Sequence, residues 1–415
     1  MTEKLDAVVI GAGFSGLGVG AALRAAGRER FAILEQGRCV GHFWSTTYDR
    51  LHLHSAFHDM PHDGGMRREY PIFLARDALL DYLRRYAELH RLGPHLRFAW
   101  RVARVKRVPD PADGYEWAVE TSDARVLARH VAVATAVNRV PKIPALPGRD
   151  EFPGTVRHSA EYRNAVPFVG RSVLVVGSGN SAAEISLDLV ERGARAVAMW
   201  VRGPRHFIPI GRMALLFRIA RLFGMFSEPR VAAMHRITFG TPEFERVVAD
   251  RDKLARRLSV DLSRYGIRMP ARGPMAETLL SGRITTFDQG AIARIRRGDI
   301  RIIDGTQHPL HGFSAGGVRL GDSEAHFDDV ILATGFEPRV EDFIADAELL
   351  GPGHNYERYP LTNGRCRSRV HPSIFLPGFD RSPLGGHSLG RWGWEVGEAI
   401  AAALQSAPQR QGTAA

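Results

Sequence analysis

The sequence predicts an α/β protein built from two Rossmann-like dinucleotide-binding units, each a three-layer sheet. Two glycine-rich loops carry that prediction. GAGFSG occupies 11–16 and GSGNSA occupies 177–182. Each follows a β-like apolar run and precedes a helix-like run, the strand–turn–helix setting that separates a dinucleotide loop from an accidental glycine pattern. The length supports the same reading, because 415 residues suffice for two or three domains with cores of their own.

The elements follow in order. DAVVIGAGFSGLGVGAALRAAGRERFAILEQ reads as strand, tight turn, helix and strand, with Gly27 as the helix stop. Residues 76–89 have helical apolar spacing, 96–108 alternate as a strand, and 131–135 form a short strand. The proline-rich VPKIPALPG that comes next can neither extend a helix nor lie within a sheet, so it is expected to be a crossover between domains. SVLVVGSGNSAAEISLDLVERGARAVAMWVRG repeats the first unit, with strands at 173–176 and 196–201 and a helix at 182–191. The stretch 212–226 is apolar with arginine at intervals, which suits either a membrane-surface helix or a lid over a substrate cavity. DDVILATGF at 328–336 reads as a buried strand ending in a glycine turn, 374–380 as another strand and 391–404 as the last helix, with a disordered tail at 406–415.

Composition narrows the function. The net charge of +11 is carried almost wholly by arginine dispersed along the chain, with no clustered stripe or known module for nucleic acid. Cys39 and Cys366 are the only cysteines and form no CxxC pair, which argues against a disulfide framework, a thiolate metal site and a dithiol active centre. No metal is expected. The first residues enter a strand pattern at once and no apolar run reaches about 20 residues, so the expected location is the cytoplasm, without a transmembrane segment.

In the first loop Gly11 permits the tight turn, Gly13 lets backbone approach a pyrophosphate and Gly16 allows close helix–strand packing. Phe14 and Ser15 lie in the same cradle, and Glu35 after the second strand is placed to accept ribose hydroxyls. In the second loop Gly177, Gly179, Asn180 and Ser181 play the matching part, ending in Ala182. The acid position is taken by Arg202, with Arg205 nearby. A guanidinium can pair with a 2′-phosphate that a carboxylate would repel, which argues for NADPH over NADH.

FPGTVRHSAEY at 152–162 fits the pattern FxGxxxHxxx-aromatic and resembles the fingerprint of flavin-containing monooxygenases. FWSTTYDRLHLHS from Phe43, YGIRMPARGP from Tyr265, GRITTFDQGAIARIRRGDI from Gly282 and DDVILATGF resemble, in order, the segments of the plant YUCCA-type branch and its bacterial relatives. The resemblance implies FAD on the first loop and NADPH on the second, with the FAD domain (1–165 and 316–405) split by an inserted NADPH domain (166–315) that carries a helical insertion at about 205–260. It implies Trp44 near the FAD, Val102 reaching the adenine through its backbone, Thr135, Thr334 and Gly335 in the two ATG-like turns, and Gly154 and His158 in the interdomain fingerprint. By itself His158 reads better as a hydrogen-bonded structural histidine than as an acid or base. Asp380 is either an acceptor for a ribityl hydroxyl or a turn residue.

Three departures matter. The fingerprint ends in Tyr162-Arg163 where the Baeyer–Villiger subgroup has Trp followed by Pro or Asp. His54 stands where animal-type enzymes place an Asn, which makes it a candidate catalytic residue, a proton donor or peroxide stabiliser. VAVATAVN has Ala136 where a first ATG motif has Gly, a change expected to alter the local turn. The function this implies is an NADPH-consuming FAD monooxygenase. It would form a flavin C4a-(hydro)peroxide and insert one atom of O2 into a small organic substrate, with oxidative decarboxylation of an aryl 2-oxo acid such as indole-3-pyruvate foremost. N- or S-oxygenation of a small metabolite, or an NADPH oxidase or reductase, is the alternative; a redox sensor without turnover is the third.

Overall fold

The computed structural model describes residues 2–54, 60–109, 111–224, 230, 233–234, 237, 240–349, 362, 365–379 and 389–406. The first sheet takes β1 (Glu3–Ile10), β2 (Phe31–Glu35), β3 (Leu96–Phe98), β4 (Arg104–Arg107), β5 (Trp117–Glu120), β6 (Arg125–Val133) and the late β19 (Ile374–Phe375). Their order is β3-β2-β1-β6-β5-β4, with β19 also pairing β6. The β3-β2-β1-β6 stretch is parallel, and β4 and β5 close it as an antiparallel meander. Val8 and Val9 have no exposed surface, as expected for a parallel strand covered on both faces.

The second sheet contains β8 (Thr155–His158), β9 (Ser172–Val176), β10 (Ala196–Val201), β13 (Ile300–Asp304) and β17 (Asp329–Leu332), all parallel, in the order β13-β10-β9-β17-β8. Short strands complete the chain. The proline-rich crossover forms β7 (Val140–Pro141), antiparallel to β18 (Phe336–Glu337), so the two passages between the sheets pair with each other. β11 (Phe207–Pro209) runs beside β12 (Thr286–Asp288), and β14 (Leu310–Ser314), β15 (Gly317–Leu320) and β16 (Ser323–Ala325) form a meander. The helices are α1 (Phe14–Ala25), α2 (His42–Ser45), α3 (Arg76–Leu89), α4 (Asn180–Glu191), α5 (Ile210–Leu222), α6 (Pro242–Leu258), α7 (Pro274–Ser281), α8 (Ala291–Arg297) and α9 (Leu389–Ser406). Among the described residues no helix is long and apolar enough to cross a membrane.

Three expectations change. The strand expected over 96–108 is two strands on opposite edges of the sheet. The chain turns away at Ala99, whose φ is 60°, and alternation alone does not report such a break. The strand expected over 374–380 stops at Phe375, because Pro377 has no N–H to donate and Gly378 turns at φ 93°. Sheet membership also moves the expected boundaries: β8 precedes residue 166 and β17 follows residue 315, yet both belong to the second sheet. Parallel pairing recruits them across long stretches of chain, with β17 filling the gap between β9 and β8. The tail expected from residue 406 is helical at Ser406, and its remainder, 407–415, lies outside the described residues, as does the end of the 212–226 stretch.

Helix α9 closes the first unit against α1 through glycines. A Cβ on Gly18 would stand 2.5 Å from the Gly390 oxygen, one on Gly393 2.1 Å from the Ser15 oxygen, and one on Gly397 2.6 Å from the Val19 oxygen. Backbone therefore meets backbone along this seam, and a larger residue has no soft neighbour to displace. Replacing Gly397 with Val is expected to cost about 1–3 kcal/mol of stability, read as a lower urea midpoint at unchanged slope. An unchanged midpoint would contradict the seam.

Candidate active site at the two dinucleotide loops

Each loop is held in a space that admits no side chain. Gly11 sits at φ 107°, where a Cβ would lie 2.8 Å from the Ala134 oxygen, and a Cβ on Gly16 would lie 1.8 Å from the Gly11 oxygen. Gly13, by contrast, faces open space. It is the N-cap of α1 and provides no side-chain cap, and no acid lies in the first turn. The N–H groups of Ser15 and Gly16 have no acceptor among the described residues. An uncapped helix start with open backbone is suited to an anion such as a pyrophosphate.

Glu35 ends β2 beneath this loop and is buried. Its Oε2 accepts the Ala12 N–H at 2.9 Å and its Oε1 accepts the Gly37 N–H at 2.8 Å. The carboxylate is thus fixed in place, with a lone pair on each oxygen left for a ribose hydroxyl. The hydroxyl of Ser15 donates to the Leu389 oxygen at 3.0 Å. Thr135 Oγ1, beside the loop, is buried without a partner. The backbone N–H and C=O of Val102 likewise have no partner among the described residues. These orphaned groups, the open Gly13 and the anchored Glu35 fit a dinucleotide such as FAD.

The second loop repeats the design. Gly177 has φ 139° and its Cβ would lie 2.4 Å from the Ala333 oxygen, whereas Gly179 is open and caps α4 without a side chain. Arg202 follows β10, is exposed and has no partner among the described residues. It is therefore available to a phosphate. Arg205 braces the loop, donating from Nε to Ser178 Oγ at 3.2 Å and from a terminal nitrogen to the Ile284 oxygen at 2.8 Å. Asn180, expected to contact cofactor, uses its side chain elsewhere. Its Oδ1 accepts the Phe287 N–H at 2.7 Å and its Nδ2 donates to the Thr285 oxygen at 3.3 Å. Its backbone amide and the second N–H of Nδ2 remain for a ligand. Ser181 Oγ is 3.4 Å from the Tyr48 hydroxyl.

Behind each loop stands an Ala-Thr turn, Ala134-Thr135 for the first and Ala333-Thr334 for the second. Gly335 takes φ 86°, and Ala136, at the corresponding place, takes φ 59°. The substitution thus leaves the left-handed turn in place, contrary to the expectation that it alters it, and stores strain instead. Thr334 donates to the Lys142 oxygen. His158 Nε2 donates to the Gly335 oxygen at 3.0 Å while its Nδ1 accepts the Ala160 N–H at 3.1 Å. Both nitrogens are engaged, which makes it a brace rather than an acid or base. A Cβ on Gly154 would stand 2.2 Å from the Asp328 oxygen, so this glycine packs β8 against the start of β17. Asp380 lies outside the described residues.

The two loops meet at the segment 44–54. Trp44 packs against the cores of both units. His54 Nε2 lies 3.3 Å from Glu184 Oε1, and Gln289 Nε2 donates to the same oxygen at 2.5 Å. Burial lowers the His54 imidazole to about 3 and raises the Glu184 carboxyl to about 8. Both groups are therefore neutral at pH 7. Tyr48 is pushed well above its usual range, by burial first and by Glu184 second. Sequence reasoning does not single out Glu184 or Gln289. The available signal is the four-residue spacing of Asn180, Glu184 and Asp188 on an otherwise apolar helix. Asp188 completes the stripe by accepting from the Tyr162 hydroxyl at 2.6 Å and the Ala165 N–H at 3.1 Å. Beyond Gln289 opens a cleft of about 370 Å³, with Ile72 and Phe73 on one wall and Ile210, Ala214 and Arg218 of α5 on the other.

The family model described as pyridine nucleotide-disulphide oxidoreductase matches residues 8–207. The chain is 31% identical over 389 residues to an indole-3-pyruvate monooxygenase of Oryza sativa subsp. japonica, YUCCA1, covering 92% of this chain and 88% of that protein. It is 32% identical over 400 residues to YUCCA4 of the same plant, an enzyme of the same description, covering 92% and 84%. Among solved structures it resembles a flavin-containing monooxygenase from Stenotrophomonas maltophilia, with a TM-score of 0.65, 22% identity and coverage of 97% and 100%. It also resembles a cyclohexanone monooxygenase in its open form, with a TM-score of 0.70, 18% identity and coverage of 97% and 88%.

The strain at Ala136 is testable. A left-handed non-glycine residue costs roughly 1–2 kcal/mol, and glycine gives back about 0.5–1 kcal/mol through the unfolded chain. Ala136→Gly is therefore expected to leave stability level or raise it by up to about 1 kcal/mol, read by thermal denaturation. A clear loss would show that Ala136 is not strained.

Proposed function

The chain belongs to the flavin-containing monooxygenases, in their YUCCA-like branch, and on that premise we propose that it binds FAD at the first loop and NADPH at the second and transfers one oxygen atom of O2 to a small aryl 2-oxo acid. The observation that carries this reading is the contact of the 44–54 segment with the first turns of α4, through Tyr48–Ser181 and His54–Glu184. It brings the two cofactor cradles to one place. FAD and NADPH, when bound, supply the hydride and oxygen chemistry.

The chain's residues do the rest. The open starts of α1 and α4 receive the pyrophosphates, Glu35 holds a ribose, and Arg202 takes the 2′-phosphate. Trp44 with the buried Tyr48, Leu51 and Leu53 keeps water from the junction, a condition for delivering oxygen to substrate rather than losing it as peroxide. His54, neutral through burial, offers a ring N–H rather than a mobile proton. The aryl 2-oxo acid follows from the relatives' described activity on indole-3-pyruvate. The cleft supports it, with apolar Ile72, Phe73 and Ala214 for a ring and Arg218, which is exposed and has no partner among the described residues, for a carboxylate.

Turnover with NADPH and 18O2 on indole-3-pyruvate, phenylpyruvate, amines, sulfides and ketones, followed by mass spectrometry, tests the function. One labelled oxygen in an arylacetate with loss of CO2 is expected. Labelled amines or sulfides instead would transfer the reading to N- or S-oxygenation, and hydrogen peroxide equal to NADPH consumed with every compound would make it an oxidase. Arg202→Ala should raise KM for NADPH by about ten- to a hundredfold, the equivalent of roughly 1.5–3 kcal/mol for a charge-assisted pair, and change KM for NADH little. Equal effects on both would remove Arg202 from the 2′-phosphate.

A further inference from the structure

Among the described residues, Nδ1 of His54 is buried without a partner, and the buried carboxyl of Glu184 is approached by the Tyr48 hydroxyl and the His52 N–H while its Oε2 makes no close hydrogen bond. The two side chains already face each other through the opposite atoms, His54 Nε2 and Glu184 Oε1, at 3.3 Å. Glu184 is 2% exposed, and the His54 ring stacks on Phe287 at a centroid distance of 6.1 Å. Gln289 Nε2 donates to Glu184 Oε1 at 2.5 Å. That oxygen therefore stands between an amide donor and a ring nitrogen. When protonated it accepts from Gln289 and donates its own proton to the ring, which is the full capacity of a carboxylic hydroxyl.

We propose that Glu184 is the positioning residue for His54: its carboxyl hydroxyl donates to Nε2, places the ring proton on Nδ1, and so makes that buried nitrogen a hydrogen-bond donor at the junction of the two cradles. This deepens the oxygenase reading above and rests on it. Which nitrogen carries the proton is set by what the other nitrogen meets. If Glu184 ionises, Oε1 becomes a pure acceptor, the ring proton moves to Nε2, and Nδ1 is left with a lone pair. The donor is then lost although no atom of the scaffold has moved.

Burial supports the sign of this switch. It raises the carboxyl of Glu184 to about 8 and lowers His54 to about 3, so the acid form faces a neutral ring at pH 7. The Nδ1–H form is present below that value and disappears as pH rises through it. Against burial, the Tyr48 hydroxyl, the Arg50 charge and the His52 N–H each favour the ionised carboxylate of Glu184, and burial outweighs them. Tyr48 is held protonated well above its usual range, Arg50 is paired with Glu191, and His52 is bonded through Nδ1 to the Arg50 oxygen. Asp188 on α4 is occupied by Tyr162 and Ala165, and Asp288 on β12 accepts the Ile292 N–H.

The test uses the FAD- and NADP-loaded protein with 15N-labelled histidine. His54 is assigned by difference with His54→Gln, and its tautomer is followed from pH 6 to 10 by the 15N shifts of the two ring nitrogens. The expected result is Nδ1–H at pH 7, converting to Nε2–H around pH 8, with the conversion absent in Glu184→Gln, which keeps the shape without the ionisation. In turnover, kcat should fall at least fivefold across the same range in the unmodified protein, and that alkaline limb should vanish in Glu184→Gln. A role in folding alone would lower thermal stability without moving the pH profile. Nε2–H at pH 7, or an alkaline limb that survives in Glu184→Gln, overturns the proposal. Failure of every substrate to take up oxygen would instead overturn the oxygenase reading, and the tautomer measurement would still decide the role of Glu184.

Discussion

Space too small for a Cβ, at the same place in each of two sheets, is the constraint on which this structure depends. Gly11 is pressed against the Ala134 carbonyl and Gly177 against the Ala333 carbonyl. In both units the central strand, the start of the helix and the end of the neighbouring strand converge on that point. The convergence orients the helix so that its unsatisfied N–H groups leave the sheet at the open glycine two residues further on. A side chain at either position would force the loop away from the strand end and turn the helix start from the place where a diphosphate must lie. Everything beyond, from the anchored Glu35 to the free Arg202, is useful only because the loops are held there.

The second loop adds a second layer of control. The helix that follows it carries a polar stripe at intervals of four, and each member reaches a different segment. Asn180 takes the chain at 285–287, Glu184 takes His54 and Gln289, and Asp188 takes Tyr162 and Ala165. Buried polar groups of this kind add little net stability when satisfied and cost much when left alone, so their main effect is to select one arrangement. The position of α4 therefore fixes three segments that surround the junction, all of them from outside the second unit's own βαβ core.

Much of this was legible in the sequence. Both glycine loops, their strands, the helix at 76–89 and the late Ala-Thr-Gly strand stand where periodicity put them, because buried parallel strands and glycine turns leave strong local signals. The pairing of β8 and β17 with the second sheet left none, since register with a distant strand is decided by tertiary contacts. The break at Ala99 was hidden for a related reason: two short strands on opposite edges alternate as one long strand does. At the site, Arg202 could be read from its place after a strand, whereas the engagement of the Asn180 side chain and the partnership of His54 with Glu184 could not. Those depend on which faces of separate segments meet, and nothing in the local spelling near His54 mentions Glu184.

The glycine seam between α1 and α9 has a consequence for the order in which the chain can assemble. One side of that seam lies in residues 14–25 and the other in residues 389–406, and β19 is likewise far along the chain from its partner on the same sheet. Loop-closure entropy must be met before such distant contacts can repay it. The second sheet, whose five strands fall between residues 155 and 332, has all its partners in hand earlier. The second sheet would thus consolidate first and leave the first βαβ unit an open-faced sheet until its distant partners dock. Truncation near the C-terminus would then strike the first cofactor cradle, at the far end of the sequence, before it harmed the second.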